Sequence, residues 1–360
     1  MEPRNDQQPG SHGLPRLVVV LLGLAGALIT LALMHEYASI IGPLLLALNL
    51  LITAYPVHYW LVKKGTPAWL AAIVMMLGVY AVLVAMVAGL AWSVAEMVNV
   101  LPNYAAEWNS LYHSTLDLAE RVGFDASQLA NLFSAIDPNS IISAAGSIFS
   151  GASGFMGMLI IIVMAIFFMA MDATGFSSRM RWLNRIRPNT SAALVQFAQG
   201  VRRYWLVTTI FGLIVAILDG IALQIMDVPL VLVWALFSFL TNYIPNIGFV
   251  IGLLPPALVA LFANGWQTAV AVIVVYSVLN FVVQSLIQPR FTGESVGVTP
   301  TVSFISLLLW SVVLGGIGSL LALPMTLLVK ALLIDIDPKS RWAGLLINSR
   351  AEDALEPGDL

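Results

Sequence analysis

The sequence predicts an all-α polytopic membrane protein of six to eight transmembrane helices, with its last two long apolar runs broken or folded into re-entrant hairpins. Three observations carry that prediction: the composition, the recurrence of apolar runs of spanning length, and helix breakers placed inside the longest of them. Of 360 residues, 59% are hydrophobic and 10% charged, with a mean hydropathy of +0.92, whereas a soluble domain carries about 25% charged residues. A hydrocarbon core roughly 30 Å thick needs about 20 apolar residues per helical crossing.

The chain begins with a polar tail, residues 1–16. The first apolar run, Leu17–Met34, is too long for a signal-peptide core and has no A-x-A site after it, so it is expected to remain as a transmembrane helix. Runs at Ile40–Val62 and Ala68–Ala95 complete a first group of three spans over residues 17–95. A polar segment, 96–154, follows, with amphipathic stretches at Leu101–Ala119 and Leu129–Phe149 separated by Asp125 and Asp137-Pro138. Surface helices, or helices packed on others, fit that pattern. Phe155–Met171 is the fourth span, and residues 172–203 form a basic amphipathic segment. Residues 204–335 contain the runs Tyr204–Met226, Val228–Ala263, Trp266–Gln288 and Thr301–Leu333; a second polar tail covers 336–360. Each span should be helical, because a lone segment in lipid must satisfy its own backbone hydrogen bonds.

Basic residues give the orientation. Lys63 and Lys64, the cluster Arg179, Arg181, Arg185, Arg187, Arg202 and Arg203, and the C-terminal Lys330, Lys339, Arg341 and Arg350 are expected on the cytoplasmic side. Residues 96–154 hold six acidic residues against Arg121 alone and are expected outside. Both termini are then cytoplasmic. If the two longest runs are re-entrant hairpins, Arg290 also falls inside, and the hairpins enter from opposite faces, the inverted arrangement of secondary transporters.

Val228–Ala263 and Thr301–Leu333 are each too long for one ordinary span. In the first, Pro245 removes a helical N–H, Asn246 and Gly248 tolerate turn conformations, and Pro255-Pro256 should repeat the disruption. In the second, Gly315, Gly316 and Gly318 remove side chains and Pro324 should break the helix, although the glycines suit close helix packing equally well. Irregular backbone at membrane depth survives only where protein or a wet cavity surrounds it.

Asp219 is the acidic residue set well inside an apolar run. Such groups are costly and are functional candidates by default, here for carrying a coupling proton or cation; a place near the interface is the bland alternative. Asn242, Asn246, Asn280, Gln284 and Gln288 offer neutral donors and acceptors, and the last three share a helix face at spacing four. They suit a hydroxyl-rich solute or a partly dehydrated cation, or simply glue helices together.

Several classes drop out. No lysine follows a glycine, so no phosphate-binding GK[ST] loop exists and an ATP-driven pump is disfavoured. There is no cysteine and no H-E-x-x-H, and the histidines His12, His35, His58 and His113 lack metal-ligand spacing; neither a catalytic residue nor a metal or cofactor is expected. Nothing suggests nucleic-acid binding. The expected partners are membrane lipids, a small-molecule or cation substrate and, in a homo-oligomer, further copies of the chain. A secondary transporter is the leading class, ahead of a passive channel or scaffold.

The ordered motifs Ile244-Pro245-Asn246-Ile247-Gly248, Pro255, Gln288-Pro289-Arg290-Phe291-Thr292-Gly293, Val296-Gly297-Val298-Thr299-Pro300, Leu314-Gly315-Gly316-Ile317-Gly318 and Leu323-Pro324 resemble those of the AI-2E family of bacterial permeases. The resemblance covers roughly residues 195–340 closely, and the N-terminal half agrees in span count and outer loop. It implies an inner-membrane permease of the type associated with export of the signal autoinducer-2, or with sodium or lithium efflux in exchange for protons. It also adds Pro289, Thr299 and Pro300 to the candidate pathway residues. Thr299 stands where the family often has histidine, and Glu294 where a basic residue is common.

Overall fold

The computed structural model describes residues 15–122, 152–244, 247–288, 298–337, 340, 343 and 344. Among the described residues the helices, in order, are α1 (Arg16–Glu36), α2 (Ala38–Lys63), α3 (Ala68–Val100), a 3-10 turn (Leu101–Tyr104), α4 (Ala105–Val122), α5 (Ala152–Ala173), α6 (Phe176–Ile186), α7 (Pro188–Ile225), α8 (Val231–Thr241), α9 (Gly248–Asn264), α10 (Trp266–Asn280) and α11 (Pro300–Lys330). The last two continue into π-helical turns, Phe281–Ile287 and Ala331–Asp335. The second amphipathic stretch of the outer segment, the tail 1–14, Pro245, Asn246, Pro289 and Arg290 lie outside the described residues.

Among the described residues six helices are long and apolar enough to cross a bilayer: Ala38–Lys63, Ala68–Tyr104, Met156–Ala173, Pro188–Ile225, Trp266–Gln284 and Pro300–Asp335. The protein is an all-α, multi-pass membrane protein. The last of the six is not one straight crossing. Gly315 adopts φ 64°, ψ −144°, outside the helical region, and Ser306 Oγ donates to the carbonyl of Ala322 at 2.7 Å. Sixteen residues along a straight helix span about 24 Å. The chain therefore doubles back at Gly315, and 300–314 packs against 316–330. Trp310 Nε1 reaches Thr326 Oγ1 at 3.3 Å, and Ser306 also bonds Thr326.

The run Val228–Ala263 folds back in the same way. Gly252 lies against Ser238 and Thr241, and Asn264 Nδ2, at the far end of α9, donates to the carbonyls of Met226 and Asp227 at 3.5 and 3.4 Å, just before α8 starts. Asp227 and Leu230 take the left-handed region, φ 52° and 64°, to turn the chain from α7 into α8. The two long runs are thus helical hairpins.

Two expected breaks are absent. Pro255 and Pro256 lie inside α9, and Pro324 lies inside the second arm of α11. A proline in a helix costs the N–H that would bond the carbonyl four residues earlier, and its ring crowds that carbonyl. Pro256 sits four residues after Gly252, which has no side chain to add to the crowding. The carbonyl freed by Pro324 is that of Leu320, and Tyr204 of α7 donates to it at 3.5 Å. The same device serves Pro56 inside α2: the freed carbonyl of Ile52 accepts from Arg202 Nε at 2.8 Å. Neighbouring helices re-satisfy such groups in membranes.

The helix expected from Tyr204 begins at Pro188, with proline in its first turn. At 38 residues it is about 57 Å long, well beyond a bilayer core. It also forms the spine. Around its first half, Val201 packs with Ala47 of α2, Ile166 of α5 and Leu321 of the second hairpin, all fully buried. Around its second half, Leu223 joins Trp234 of α8, Ala260 of α9 and Val272 and Tyr276 of α10. The arms of the two hairpins are centred in different clusters, with Tyr243 at the tip of the first joining that of the second, and α7 contributes to both.

Candidate functional site

The first hairpin is drawn against α7 by a stripe of small residues. A Cβ on Gly220 would meet the Ala235 Cβ at 3.2 Å, and one on Gly212 would meet the Asn242 Cβ at 3.7 Å; Ala216, midway, is buried. Such spacing lets helix backbones approach closely in membranes. The approach buries Asp219, the residue beside Gly220, completely at 0% exposure. The carboxylate is therefore enclosed by protein rather than exposed at the surface.

Asp219 begins a chain of polar groups that crosses three elements. Ser238 Oγ of α8 donates to Asp219 Oδ2 at 2.7 Å, and Thr241 Oγ1 donates to the Ser238 carbonyl at 3.2 Å. Asn242 ends α8, and its Oδ1 accepts from Gln284 Nε2 at 3.2 Å. Gln284 Nε2 also donates to Asn280 Oδ1 at 2.7 Å, and Asn280 Nδ2 donates to the Tyr276 carbonyl at 2.8 Å. Tyr276 also lies within electrostatic range of Asp219, with no hydrogen bond between them.

Three buried atoms of this circuit have no hydrogen-bond partner among the described residues: Asp219 Oδ1, Asn242 Nδ2 and Tyr276 Oη. Neither ion pair recorded among the described residues involves Asp219. Buried polar groups are nearly always satisfied, so orphans that gather in one place call for a ligand, an ion or a conformational change. An ionised carboxylate here is expensive unless a cation or a proton accompanies it. Beyond Asn242 toward the hairpin tip, Tyr243 Oη bonds Thr209 Oγ1 at 2.9 Å and its ring lies 5.8 Å from Trp205, whose Nε1 is a fourth orphan.

The structure thus brings together Asp219, Asn242, Asn280 and Gln284. Gln288 is half-buried at the end of the π-helical turn. Gly248 opens α9, where a Cβ would stand 1.9 Å from the Thr241 carbonyl oxygen, so it shapes the hairpin tip rather than the polar circuit. Pro255 is half-buried within α9. Thr299 is the N-cap of α11, its Oγ1 accepting from Val302 N at 3.3 Å, and Pro300 is the first helical residue, a pairing that explains both residues locally. The three glycines of the second hairpin separate by role. Gly315 supplies the turn conformation, Gly316 faces open space, and a Cβ on Gly318 would stand 1.7 Å from the Trp310 carbonyl oxygen.

Sequence reasoning missed Ser238, Thr241, Tyr276 and Trp205. A signal existed for two of them: Tyr276 extends the stripe of Asn280 and Gln284 by one turn, and Ser238 lies four residues before Asn242.

Comparison with known proteins decides what kind of molecule carries this arrangement. The family profile described as AI-2E family transporter matches residues 17–337. The chain belongs to the AI-2E transporter family. Among its relatives are YhhT of Escherichia coli strain K12, 29% identical over 360 residues with 99% of this chain and 100% of the relative covered, and the AI-2 transport protein TqsA of the same strain, 30% identical over 316 residues with 87% and 90% covered. YrrI of Bacillus subtilis strain 168 is 25% identical over 313 residues, covering 82% of this chain and 86% of its own. In this AI-2E transporter the buried polar residues lie where two spanning helices, α7 and α10, meet the first hairpin.

Proposed function

We propose that this protein is a secondary transporter of the bacterial inner membrane, with both termini cytoplasmic, that exports a small polar solute such as autoinducer-2 in exchange for, or together with, an ion handled at Asp219. One observation carries the reading: a fully buried carboxylate on one spanning helix has an unpartnered oxygen and lies within electrostatic range of Tyr276 on another, whose hydroxyl is likewise unpartnered among the described residues. The name of the relative TqsA supports autoinducer-2 as the solute. The mixed donors and acceptors of Asn242, Asn280, Gln284 and Tyr276 suit a hydroxylated molecule. Lysine and arginine placement supports the orientation, with the first hairpin entering from outside and the second from inside.

A second reading, exchange of Na+ or Li+ against protons, is favoured by the same lone carboxylate, since a monovalent cation needs acceptor oxygens and a compensating charge. One experiment separates them. The full chain is reconstituted in liposomes holding a pH-sensitive dye under an imposed pH gradient, and Na+, Li+ and a dihydroxypentanedione-derived signal are added in turn, with Asp219→Asn beside wild type. Proton movement triggered by the signal and lost in the variant supports export; movement triggered by Na+ or Li+ alone supports cation exchange. A silent dye with labelled solute still moving overturns ion coupling and leaves a facilitator.

A further inference from the structure

The short helix α6 carries charge and apolar surface that the transport circuit does not use. Its inner face, Met180 and Leu183, is half-buried, and Met180 Sδ accepts from Ser191 Oγ of α7 at 3.3 Å. Trp182 and Ile186, on an adjoining face, are 63% and 71% exposed, and no residue of α6 is fully buried. Arg181 and Arg185 flank them, both exposed. Of the arginines in and capping this helix, Arg179 forms an ion pair, with Asp172 at 3.6 Å, while Arg181, Arg185 and Arg187 pair with no carboxylate among the described residues; the Arg185 guanidinium lies 5.3 Å over the Trp182 ring. Phe176, the first residue of α6, packs edge-on to Tyr55 of α2 at 6.0 Å, which ties the helix to the spanning bundle. Around it, exposed Tyr59, Trp60 and Trp69 and the adjacent Lys63 and Lys64 mark the ends of α2 and α3 with the aromatic and basic residues typical of a membrane interface.

We propose that α6 lies in the plane of the membrane interface and is a docking surface for anionic phospholipid, with Trp182 and Ile186 in the acyl boundary and Arg181 and Arg185 on headgroup phosphates. Charge complementarity selects the occupant. A partner protein would bury Trp182 and Ile186 too, but the bilayer edge adjoining α2 and α3 supplies apolar depth and negative phosphates at once, the combination amphipathic basic helices take. Arginine forks match phosphate oxygens in paired hydrogen bonds. The surface is independent of what the transport circuit carries.

The test is the midpoint of thermal unfolding of the detergent-purified full chain, titrated separately with phosphatidylglycerol, phosphatidylcholine and inorganic phosphate. Phosphatidylglycerol should raise the midpoint by several degrees and saturate, while the other two leave it in place. In R181Q/R185Q half-saturation should need roughly fivefold more lipid for each arginine neutralised, whereas R181K/R185K, which keeps the charge, should stay within a few-fold of wild type. Both sites are exposed, so the lipid-free midpoint should not move. An equal response to phosphatidylcholine overturns the charge argument, and a shift with inorganic phosphate replaces lipid by a soluble anion. An R181Q/R185Q titration that overlays wild type removes α6 as the surface.

Discussion

Gly248→Ala probes the first hairpin at its tightest point. The added methyl would stand 1.9 Å from the carbonyl oxygen of Thr241, 2.7 Å from its carbonyl carbon and 3.2 Å from the Asn242 Cα, all backbone atoms that cannot rotate away. Ordinary contact begins near 3.4 Å, so the arms must part by at least 1.5 Å. Overpacking of this kind costs about 1–3 kcal/mol or more, and here the displaced segment carries Asn242, whose 3.2 Å bond to Gln284 would not survive such a shift. The apparent midpoint of thermal unfolding in detergent should fall by several degrees, and flux in liposomes should fall with it. Gly252→Ala should cost less, because its closest neighbour at 2.7 Å is a threonine side-chain oxygen. Gly316→Ala, with nothing within 4 Å, should be neutral or mildly stabilising through helix propensity. If Gly248→Ala unfolds and transports like wild type while Gly316→Ala does not, the arms do not pack as described.

Ser306→Ala removes the bond that ties the arms of the second hairpin, and it should destabilise by roughly 0.6–1.7 kcal/mol, the range for side-chain hydrogen bonds within membranes; thermal unfolding beside Ser311→Ala, on the exposed side of the same arm, checks it. Arg202→Leu leaves the Ile52 carbonyl without its donor and should cost about 1–3 kcal/mol. In the background Pro56→Ala, which restores a backbone N–H to that carbonyl, the same substitution should cost measurably less, and strictly additive effects in the double-mutant cycle would refute the pairing. Because the chain has no native cysteine, single replacements report sidedness directly. Asn103→Cys should react with an impermeant maleimide from the outside of intact cells, and Lys64→Cys only after permeabilisation; the reverse pattern inverts the proposed orientation.

Much of this architecture is written in local chemistry. The sequence Thr241–Gly248 concentrates residues that resist helix in the middle of an apolar run too long for one crossing, and the hairpin turns there. Gly315 to Gly318 marks the second turn just as plainly. What local chemistry could not supply is which breaker breaks. Pro56, Pro255, Pro256 and Pro324 look as disruptive as any other proline, yet each lies within a helix. For Pro56 and Pro324, donors from a helix more than a hundred residues away take the freed carbonyl. The candidate site divides in the same manner. Asp219 and the Asn280–Gln284 stripe stand out because ionisable and amide groups are rare in apolar runs. Ser238 and Tyr276 do not, since a serine or tyrosine in a membrane helix is unremarkable until the fold sets it beside a carboxylate.

The placement of these donors bears on how the bundle works. Arg202 and Tyr204 are two residues apart on α7 and point to different neighbours, Arg202 to the proline gap of α2 and Tyr204 to that of the second hairpin. Trp205, the next residue, and Thr209 meet the tip of the first hairpin through Tyr243, and Asp219, farther along, meets its first arm. A single helix therefore touches both hairpins with polar contacts, while its buried apolar residues fall into three clusters, one of which joins Tyr243 at the tip of the first hairpin to the arms of the second. Moving the first hairpin relative to α7 must therefore break the Asp219–Ser238 and Thr209–Tyr243 bonds and the packing of Tyr243 on Trp205, and so would disturb the circuit around Asp219.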